Sequence, residues 1–200
     1  MAVIDTQESA ASQLPPQPAM TELSGNLGFL SIIHDPSGLL GGYLVTNGWG
    51  RPLEFRISTA IQPNRVQQIL YGPTLTDYLY ADLIGKALVE KSSTAVGMVI
   101  VDQPAALPLR RRVDVPVVCI SPAPLQLHEP DTEKPQEYVS LTHPRSSVPL
   151  RWLASHASDQ PLIEAILAKV DPSLDLSEPF TRVREAIGEA RKLGGIHRAA

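Results

Sequence analysis

Three residues with metal-binding side chains follow or end apolar stretches of the sequence. His34 and Asp35 come directly after the run LGFLSII, and Asp102 ends the run AVGMVIVD. If these runs are neighbouring parallel strands, their carboxyl ends meet at one edge of a sheet, where α/β proteins commonly bind ligands. Two carboxylates and an imidazole can hold a divalent metal that activates water. The pattern therefore supports the hypothesis of a metal-dependent hydrolase or nuclease.

The same residues also have explanations that require no metal. Asp35 opens the turn sequence DPSG, in which an aspartate commonly accepts a hydrogen bond from the backbone two residues later. Asp102 ends a strand just before a proline. A nuclease-type site also requires a carboxylate inside the first strand, and GFLSII has none. Asp77 or Asp82, from a predicted helix, could add a third carboxylate. Because the simpler explanations are sufficient, the metal site is our alternative hypothesis and not our first.

Trp49 is a candidate for binding a partner. It lies in the sequence Asn47-Gly48-Trp49-Gly50, which is typical of a hairpin turn. The turn requires its glycines for positive φ angles, but nothing in its geometry requires an indole. The tryptophan either covers the end of the sheet, which we favour, or stands exposed as an anchor beside Arg51 and Arg56.

Three adjacent arginines, Arg110, Arg111 and Arg112, follow the second of the apolar runs. Guanidinium groups bind phosphates and carboxylates well, so this run could contact nucleic acid or an acidic partner. A run of three is short for a binding patch, and Asp102 and Asp114 lie close in sequence. We therefore favour a solvated connection whose charge these two aspartates balance.

Well-known catalytic motifs are absent from the sequence. It contains no phosphate-binding loop, no dinucleotide-binding glycine pattern, no serine nucleophile turn and no HExxH. Its single cysteine, Cys119, lies in the apolar run VPVVCIS and is expected in the core, so an intramolecular disulfide and a cysteine zinc site are both excluded. We predict no cofactor.

Charge and hydropathy limit the possible partners. The net charge is −4, and residues 1–50 contain no lysine or arginine. Because no basic excess exists, we do not expect nucleic acid as a partner. No apolar stretch is long enough to cross a membrane, and no signal peptide is evident at the start, so we expect a cytoplasmic protein.

The spacing of apolar residues predicts the secondary structure. Residues 27–58 form three antiparallel strands, the third alternating in polarity and therefore lying at or near a sheet edge. Residues 63–72 and 73–92 have helical spacing, and the second of these ranges forms one long helix. Residues 95–102 and 115–121 are nearly continuous apolar runs, which are typical of buried parallel strands.

This order of elements predicts an α/β (or α+β) fold. About five strands in the order β-β-β-α-β-β form a mixed sheet with a long helix packed on it. The topology is similar to that of ribonuclease-H-like folds and is shared by several other mixed folds. A shared topology carries little information about function.

Composition divides the chain into four parts. Residues 1–24 are rich in Ala, Ser, Gln and Pro and are predicted to be a disordered tail. Residues 25–121 form the core domain, and residues 122–135, with four prolines, form a linker or long loop. Residues 136–200 contain a short hairpin and two helices, which we expect to pack on their own domain.

Together these observations lead to a non-enzymatic protein-interaction or assembly module as the first hypothesis. It would bind a protein partner or a second copy of itself through the hairpin and the C-terminal helices, with Trp49, Arg51, Arg56 and Arg110–Arg112 as contact residues. The alternative is a divalent-metal hydrolase or nuclease that uses Asp35 and Asp102, assisted by His34. A third hypothesis is local nucleic-acid binding through the three arginines.

Overall fold

A computed structural model describes residues 24–121 and 138–196 of the chain. Two predicted segments lie outside these residues: the tail at residues 1–24, of which only residue 24 is described, and the linker at residues 122–135. Both stay predictions, and so do the domain boundaries. In the part of the chain that the structure describes, no helix has the length and apolarity needed to cross a membrane.

Seven strands form one mixed sheet in the order β3-β2-β1-β4-β5-β7-β6. β1, β4 and β5 are parallel, and every other neighbouring pair is antiparallel. This arrangement of the first five strands is ribonuclease-H-like, as predicted; the hairpin of β6 and β7 adds two more strands beside β5. The strands are β1 (Leu27–Asp35), β2 (Gly38–Thr46), β3 (Pro52–Ile57), β4 (Met98–Val101), β5 (Val117–Ile120), β6 (Tyr138–Leu141) and β7 (Leu150–Leu153).

Helices precede β4 and follow β7. They are α1 (Arg65–Tyr71), α2 (Leu75–Asp77), α3 (Lys86–Glu90), α4 (Gln160–Ala168) and α5 (Glu178–Ile196). Between α2 and α3 the chain is a π-helix, Tyr78–Gly85, so the predicted long helix exists but has a widened middle. Short 3-10 helices occupy Gly72–Thr74, Pro104–Arg111 and Ala154–Asp159.

Both faces of the sheet are covered, which creates two apolar cores. The π-helix and the 3-10 helix Pro104–Arg111 cover one face and pack on alternate residues of β1 such as Leu30 and Ile32. α4 and α5 cover the other face, where Phe29 meets Phe180 edge to face with ring centroids 5.6 Å apart. The predictions that β1 and β2 are buried on both sides and that the C-terminal helices pack on their own domain are therefore confirmed.

The adjacent glycines of β2 allow helices to approach from both sides. A Cβ atom at Gly41 would lie 2.2 Å from Cγ2 of Ile84 in the π-helix, and one at Gly42 would lie 2.7 Å from Cγ1 of Val183 in α5. The predicted close backbone approach is confirmed, whereas the irregularity in strand pairing falls later, between Val45 and Thr46.

β3 is an edge strand, as its alternating sequence predicts. Its apolar side chains are the exposed ones, and its charged side chains face the protein. Glu54 accepts hydrogen bonds from the backbone N–H groups of Ser93 and Thr94, which follow α3, at 3.0 Å each. Although desolvation acts to raise the pKa of Glu54, the hydrogen bonds from Arg56 and this loop outweigh it and lower the pKa to about 2. An ionised carboxylate thus ties the loop to the edge of the sheet.

Replacement of Gly41 by alanine tests the close packing on β2. Gly41→Ala should lower the free energy of unfolding by roughly 1–3 kcal/mol, because the added methyl group collides with Ile84. Gly188→Ala in α5 is the matched control: apart from its chain neighbours and the backbone of its own helix, no atom lies within 4 Å of its added Cβ, so helix propensity should stabilise the protein by about 0.5–1 kcal/mol. Urea denaturation measures both, and equal stability of the two variants would contradict this account.

Candidate functional site

Asp102 lies at the carboxyl end of β4, beside the middle of β1. Its Oδ2 atom accepts a hydrogen bond from Oγ of Ser31 at 2.7 Å and another from Nη2 of Arg184, in α5, at 2.5 Å. Its Oδ1 atom is buried and has no hydrogen-bond partner. The side chain is only 8% exposed, while that of Arg184 is 49% exposed. The site is therefore a buried carboxylate covered by one partly exposed guanidinium.

The surroundings of Asp102 change its acidity. Burial raises the pKa of Asp102 above its usual range, while the hydrogen bond from Ser31 and the charge of Arg184 act in the opposite direction. Burial, together with the negative charge of Asp102, also raises the pKa of Tyr80 to about 12. Tyr80 thus stays a neutral phenol, and Asp102 is an aspartate whose charge is more costly than that of an exposed one.

Asp35 forms a second carboxylate–arginine pair with the same helix. Arg191 of α5 donates to Oδ2 of Asp35, and the backbone N–H of Ser37 donates to Oδ1 at 2.8 Å. The latter contact is the turn that the sequence DPSG predicts. Because Arg191 follows Arg184 by seven residues, the two guanidinium groups emerge from one side of α5, roughly 10 Å apart along its axis.

The structure does not bring His34, Asp35 and Asp102 together. Asp102 follows the pair Leu30–Val101 in the register of β1 and β4, so it is level with Ser31. Asp35 lies four residues further along β1, a distance of roughly 13 Å. His34 faces the other side of the sheet, because side chains alternate along a strand. The prediction that one site gathers these three residues at the strand ends is therefore wrong: β1 extends past β4, which keeps the carboxylates apart.

Beside this edge of the sheet lies a cavity of about 280 Å³. His34 and Tyr80 line it together with apolar side chains from the turn after β1 and from the helices that precede β4. The lining residues are His34, Asp35, Gly38, Leu39, Ile61, Pro63, Leu75, Thr76, Leu79 and Tyr80. A ligand group at the carboxyl edge of β1 would therefore have room on the side opposite α5.

The residues at Asp102 do not fit a divalent metal. In residues 24–121 and 138–196, no three side chains of histidine, cysteine, aspartate or glutamate form a group that could hold a metal ion. Beside Asp102, β1 supplies the hydroxyl of Ser31 instead of a second carboxylate, and α5 supplies a positive charge. The donor set contains one negative charge, which Arg184 already neutralises.

Asp77 and Asp82 do not complete a ligand set either. Asp82 forms an ion pair with Arg112. Asp77 lies near Arg111 and Tyr138: burial raises its pKa to about 7, and the charge of Arg111 lowers it in part. Cys119 is fully buried, as expected, and burial raises the pKa of its thiol to about 12.

Trp49 is 74% exposed, so the prediction that it covers the end of the sheet is wrong. The hairpin turn is held through its backbone: the carbonyl of Gly48 accepts from the N–H of Asp171 at 2.8 Å, and the carbonyl of Gly50 accepts from Nη1 of Arg182 at 2.9 Å. β2 ends beside the start of β1, whereas Asp102 lies toward the end of β1. Trp49 and its neighbour Arg51 therefore lie at the other end of the strands from Asp102.

The other predicted contact arginines bind carboxylates of their own chain. Arg56 donates to Glu54 at 2.5 Å. Arg110 donates to both carboxylate oxygens of Asp159, at 2.7 and 3.2 Å. Arg110 and Arg112 thus pair with carboxylates distant in sequence, Asp159 and Asp82, and Asp102, which we expected to balance them, pairs with Arg184 instead. The roles of these arginines, of Trp49 and of Arg51 in binding a partner stay predictions.

Ser31, Tyr80, Arg184 and Arg191 belong to the site, yet sequence analysis did not select them. Ser31 is an ordinary residue in an apolar strand, and Tyr80 lies on the buried side of a helix. The sequence did indicate that the two arginines act together: Arg184 and Arg191 are seven residues apart, which places both on one side of a helix. Nothing in the sequence indicated that this side lies beside Asp102.

Known proteins resemble this chain in structure and not in sequence. No protein-family model matches the chain, and no curated protein matches it either. Endonuclease V from Bacillus subtilis is similar with a TM-score of 0.49 and 10% identity, over 84% of this chain and 83% of that one. Endonuclease V from Ciona intestinalis, solved in complex with a 23mer DNA that contains an inosine followed by a ribo-adenosine, has a TM-score of 0.48 and 7% identity, over 85% of this chain and 88% of that one. At these values the likeness is one of fold.

These findings correct two predictions made from the sequence. Our first hypothesis, a non-enzymatic protein-interaction or assembly module, has no counterpart in these structures: both are endonucleases. Our expectation of a protein partner or homo-oligomer, with nucleic acid unlikely, has no counterpart there either: one of the two structures is in complex with DNA. A site assembled from separate strands and a distant helix leaves no contiguous motif, so the absence of motifs from the sequence carries little weight against an enzyme.

Asp77 gives a testable pH dependence. Its pKa rises from 3.8 in the ordinary case to about 7 in the folded protein. Between these values the unfolded chain ionises while the folded carboxyl keeps its proton, so the folded protein loses stability as pH rises, and the full loss is reached above pH 7. Asp77→Asn should therefore be more stable than the unmodified protein at pH 8, by roughly 2 kcal/mol, which is about half of what the full shift would give because solvent screens this partly exposed group.

Urea denaturation at pH 4 and pH 8 measures this effect. The stability difference at pH 4, where neither side chain is charged in the folded protein, is the internal control for changes in packing. A difference between the two proteins that is the same at both pH values would contradict the assignment of a raised pKa to Asp77.

Proposed function

We propose that this chain is a nuclease that binds nucleic acid at the carboxyl edge of β1 and β4 and hydrolyses a phosphodiester there. The observation that carries the proposal is Asp102: a buried carboxylate at a strand end, with one oxygen that has no partner and a guanidinium on the other. The carboxyl ends of parallel strands are where α/β proteins commonly place their reactive groups.

Asp102 is proposed as the general base. Once Arg184 moves toward a bound phosphate, Oδ1 of the ionised carboxylate accepts a proton from a water molecule, whose oxygen attacks phosphorus. The bond from phosphorus to the leaving oxygen then breaks, that oxygen takes up a proton from solvent, and Asp102 releases its proton to solvent. A carboxyl group whose pKa is raised by burial is a stronger base than an exposed aspartate, which suits this step near neutral pH.

Arg184 and Arg191 are proposed to bind the phosphates. Both guanidinium groups are about half exposed, and each lies on a nearly buried carboxylate. A guanidinium binds phosphate oxygens in two-point geometry and keeps its charge at any physiological pH. A phosphate can replace the carboxylate as partner of each arginine, and the negative charge that develops during hydrolysis would be stabilised at the same place.

We keep the cytoplasm as the proposed location. A chain with one buried cysteine has none of the disulfides that stabilise many small exported domains. Cell fractionation tests this part of the proposal separately from the activity.

Replacement of Asp102 tests the catalytic role. Asp102→Asn should reduce the rate of cleavage of a labelled oligonucleotide about 10²-fold or more, since the variant has no base at that position. Binding of the same oligonucleotide, measured by fluorescence anisotropy, should persist because the arginines remain. Single- and double-stranded DNA and RNA are all assayed. Unchanged cleavage in Asp102→Asn, or no cleavage of any of these substrates by the unmodified chain, would overturn the proposal.

Replacement of the arginines tests the phosphate contacts. Arg184→Ala and Arg191→Ala should each weaken binding and reduce the slope of log affinity against log salt by about 1. Arg65→Ala removes an exposed arginine from α1, away from α5, and should leave both the affinity and the slope unchanged. If all three variants lose the same affinity, general charge and not this site attracts the nucleic acid.

A further inference from the structure

We infer that the guanidinium of Arg184 takes the place of a divalent cation at Asp102, so that the site of this chain works without a metal ion. Many nucleases hold one or two divalent cations between carboxylates, and these ions bind the phosphate and activate water. The inference rests on the proposed function for its choice of reaction, but its principal test is independent of that function.

The first argument is the residue that faces Asp102 across the strand pair. Ser31 is fully buried, and its hydroxyl donates a hydrogen bond to the carboxylate at 2.7 Å. An aspartate in this position would add a second negative charge and another oxygen pair, the usual minimum for binding Mg²⁺ or Mn²⁺ through protein carboxylates. A hydroxyl that donates its proton to Asp102 adds no charge.

The second argument is the position of Arg184. Its Nη2 atom lies 2.5 Å from Oδ2 of Asp102, so the carboxylate already has a cationic partner in direct contact. A divalent ion on the same carboxylate would lie within a few ångströms of the guanidinium, and in this poorly solvated place the repulsion between like charges would be large. Arg184 and a metal ion are therefore alternatives at one place.

The third argument is the absence of other donors within reach in the described part of the chain. Asp35 lies roughly 13 Å along β1 and forms its own pair with Arg191. The amide nitrogen of Gln103, next to Asp102, donates to the carbonyl of Ile32 at 2.7 Å and holds the strand end. Tyr80 is a neutral phenol. No second anionic ligand is therefore at hand.

The consequence is a site whose positive charge is part of the protein. Arginine is well suited to such a replacement, because it stays protonated and binds two phosphate oxygens at once. Nucleic-acid binding by this chain should accordingly be the same in a chelator as in Mg²⁺, apart from the general effect of salt.

The test is a metal titration of the full 200-residue chain followed by thermal unfolding. Mg²⁺ or Mn²⁺ should leave the Tm of the unmodified chain unchanged. Ser31→Asp combined with Arg184→Ala places two carboxylates at the site and removes the cation, so Mn²⁺ should raise the Tm of this variant, by roughly 5 °C at a hundredfold excess over Kd. The matched control, Ser31→Ala combined with Arg184→Ala, should show no rise, because its site still has a single carboxylate.

The outcomes separate this inference from the proposed function. A Tm rise of the unmodified chain with Mn²⁺ that Asp102→Asn abolishes would overturn the inference and leave the nuclease proposal standing. If the double variant does not fold, calorimetric titration of the unmodified chain with Mn²⁺ still decides, since a site-specific heat that Asp102→Asn removes has the same meaning. Absence of cleavage with no metal response would refute the nuclease and leave the assignment of Arg184 as the cation at Asp102 standing.

Discussion

The structure depends on the burial of β1 and β2 from both sides. β1 pairs with β2 on one side and β4 on the other, and helices cover both of its faces, so water reaches it only at its ends. The adjacent glycines of β2 make this coverage possible by removing the side chains that would hold the helices away. In such a surrounding, any ionised group at a strand end requires a partner or a raised pKa. Asp102 shows both effects.

α5 connects this constraint to the candidate site. Its apolar side packs on β1 and β2 through Phe180, Val183 and Ile187, which fixes the rotation of the helix. That rotation places Arg184 and Arg191 over two carboxylates of the strand ends. The packing of α5 thus determines both the apolar core on its side of the sheet and the charge balance of the site. Its arginines lie about eighty or more positions away from the carboxylates in the sequence.

Local patterns in the sequence were sufficient for much of the fold. Continuous apolar runs identified β4 and β5 as buried parallel strands, and alternation identified β3 as an edge strand, because burial acts on each strand residue by residue. The sequence did not show that β6 and β7 join the sheet, since their pairing with β5 depends on long-range packing. It also did not show which face of β3 is outward. Glu54 faces the protein because it accepts hydrogen bonds from the loop after α3. Leu53, Phe55 and Ile57, on the other face of β3, are therefore exposed.

The candidate site was predictable only in part. Asp102 could be selected because it ends an apolar strand, and the turn at Asp35 followed from its sequence. The partners Ser31 and Arg184 could not, because hydrogen bonds between distant residues leave no periodic pattern. The same reason explains the failure at Arg110: its carboxylate partner, Asp159, lies 49 residues away, at the start of α4.

The two tryptophans of the chain lie in opposite environments. Trp49 stands on the hairpin turn in solvent, whereas Trp152 of β7 is 1% exposed within the core beside α4 and α5. An aqueous quencher such as iodide therefore reaches one indole of the native protein and not the other, and the emission of the two indoles differs in wavelength. Unfolding removes this difference. The chain carries an intrinsic optical reporter for the hairpin and another for the interior, with no label attached.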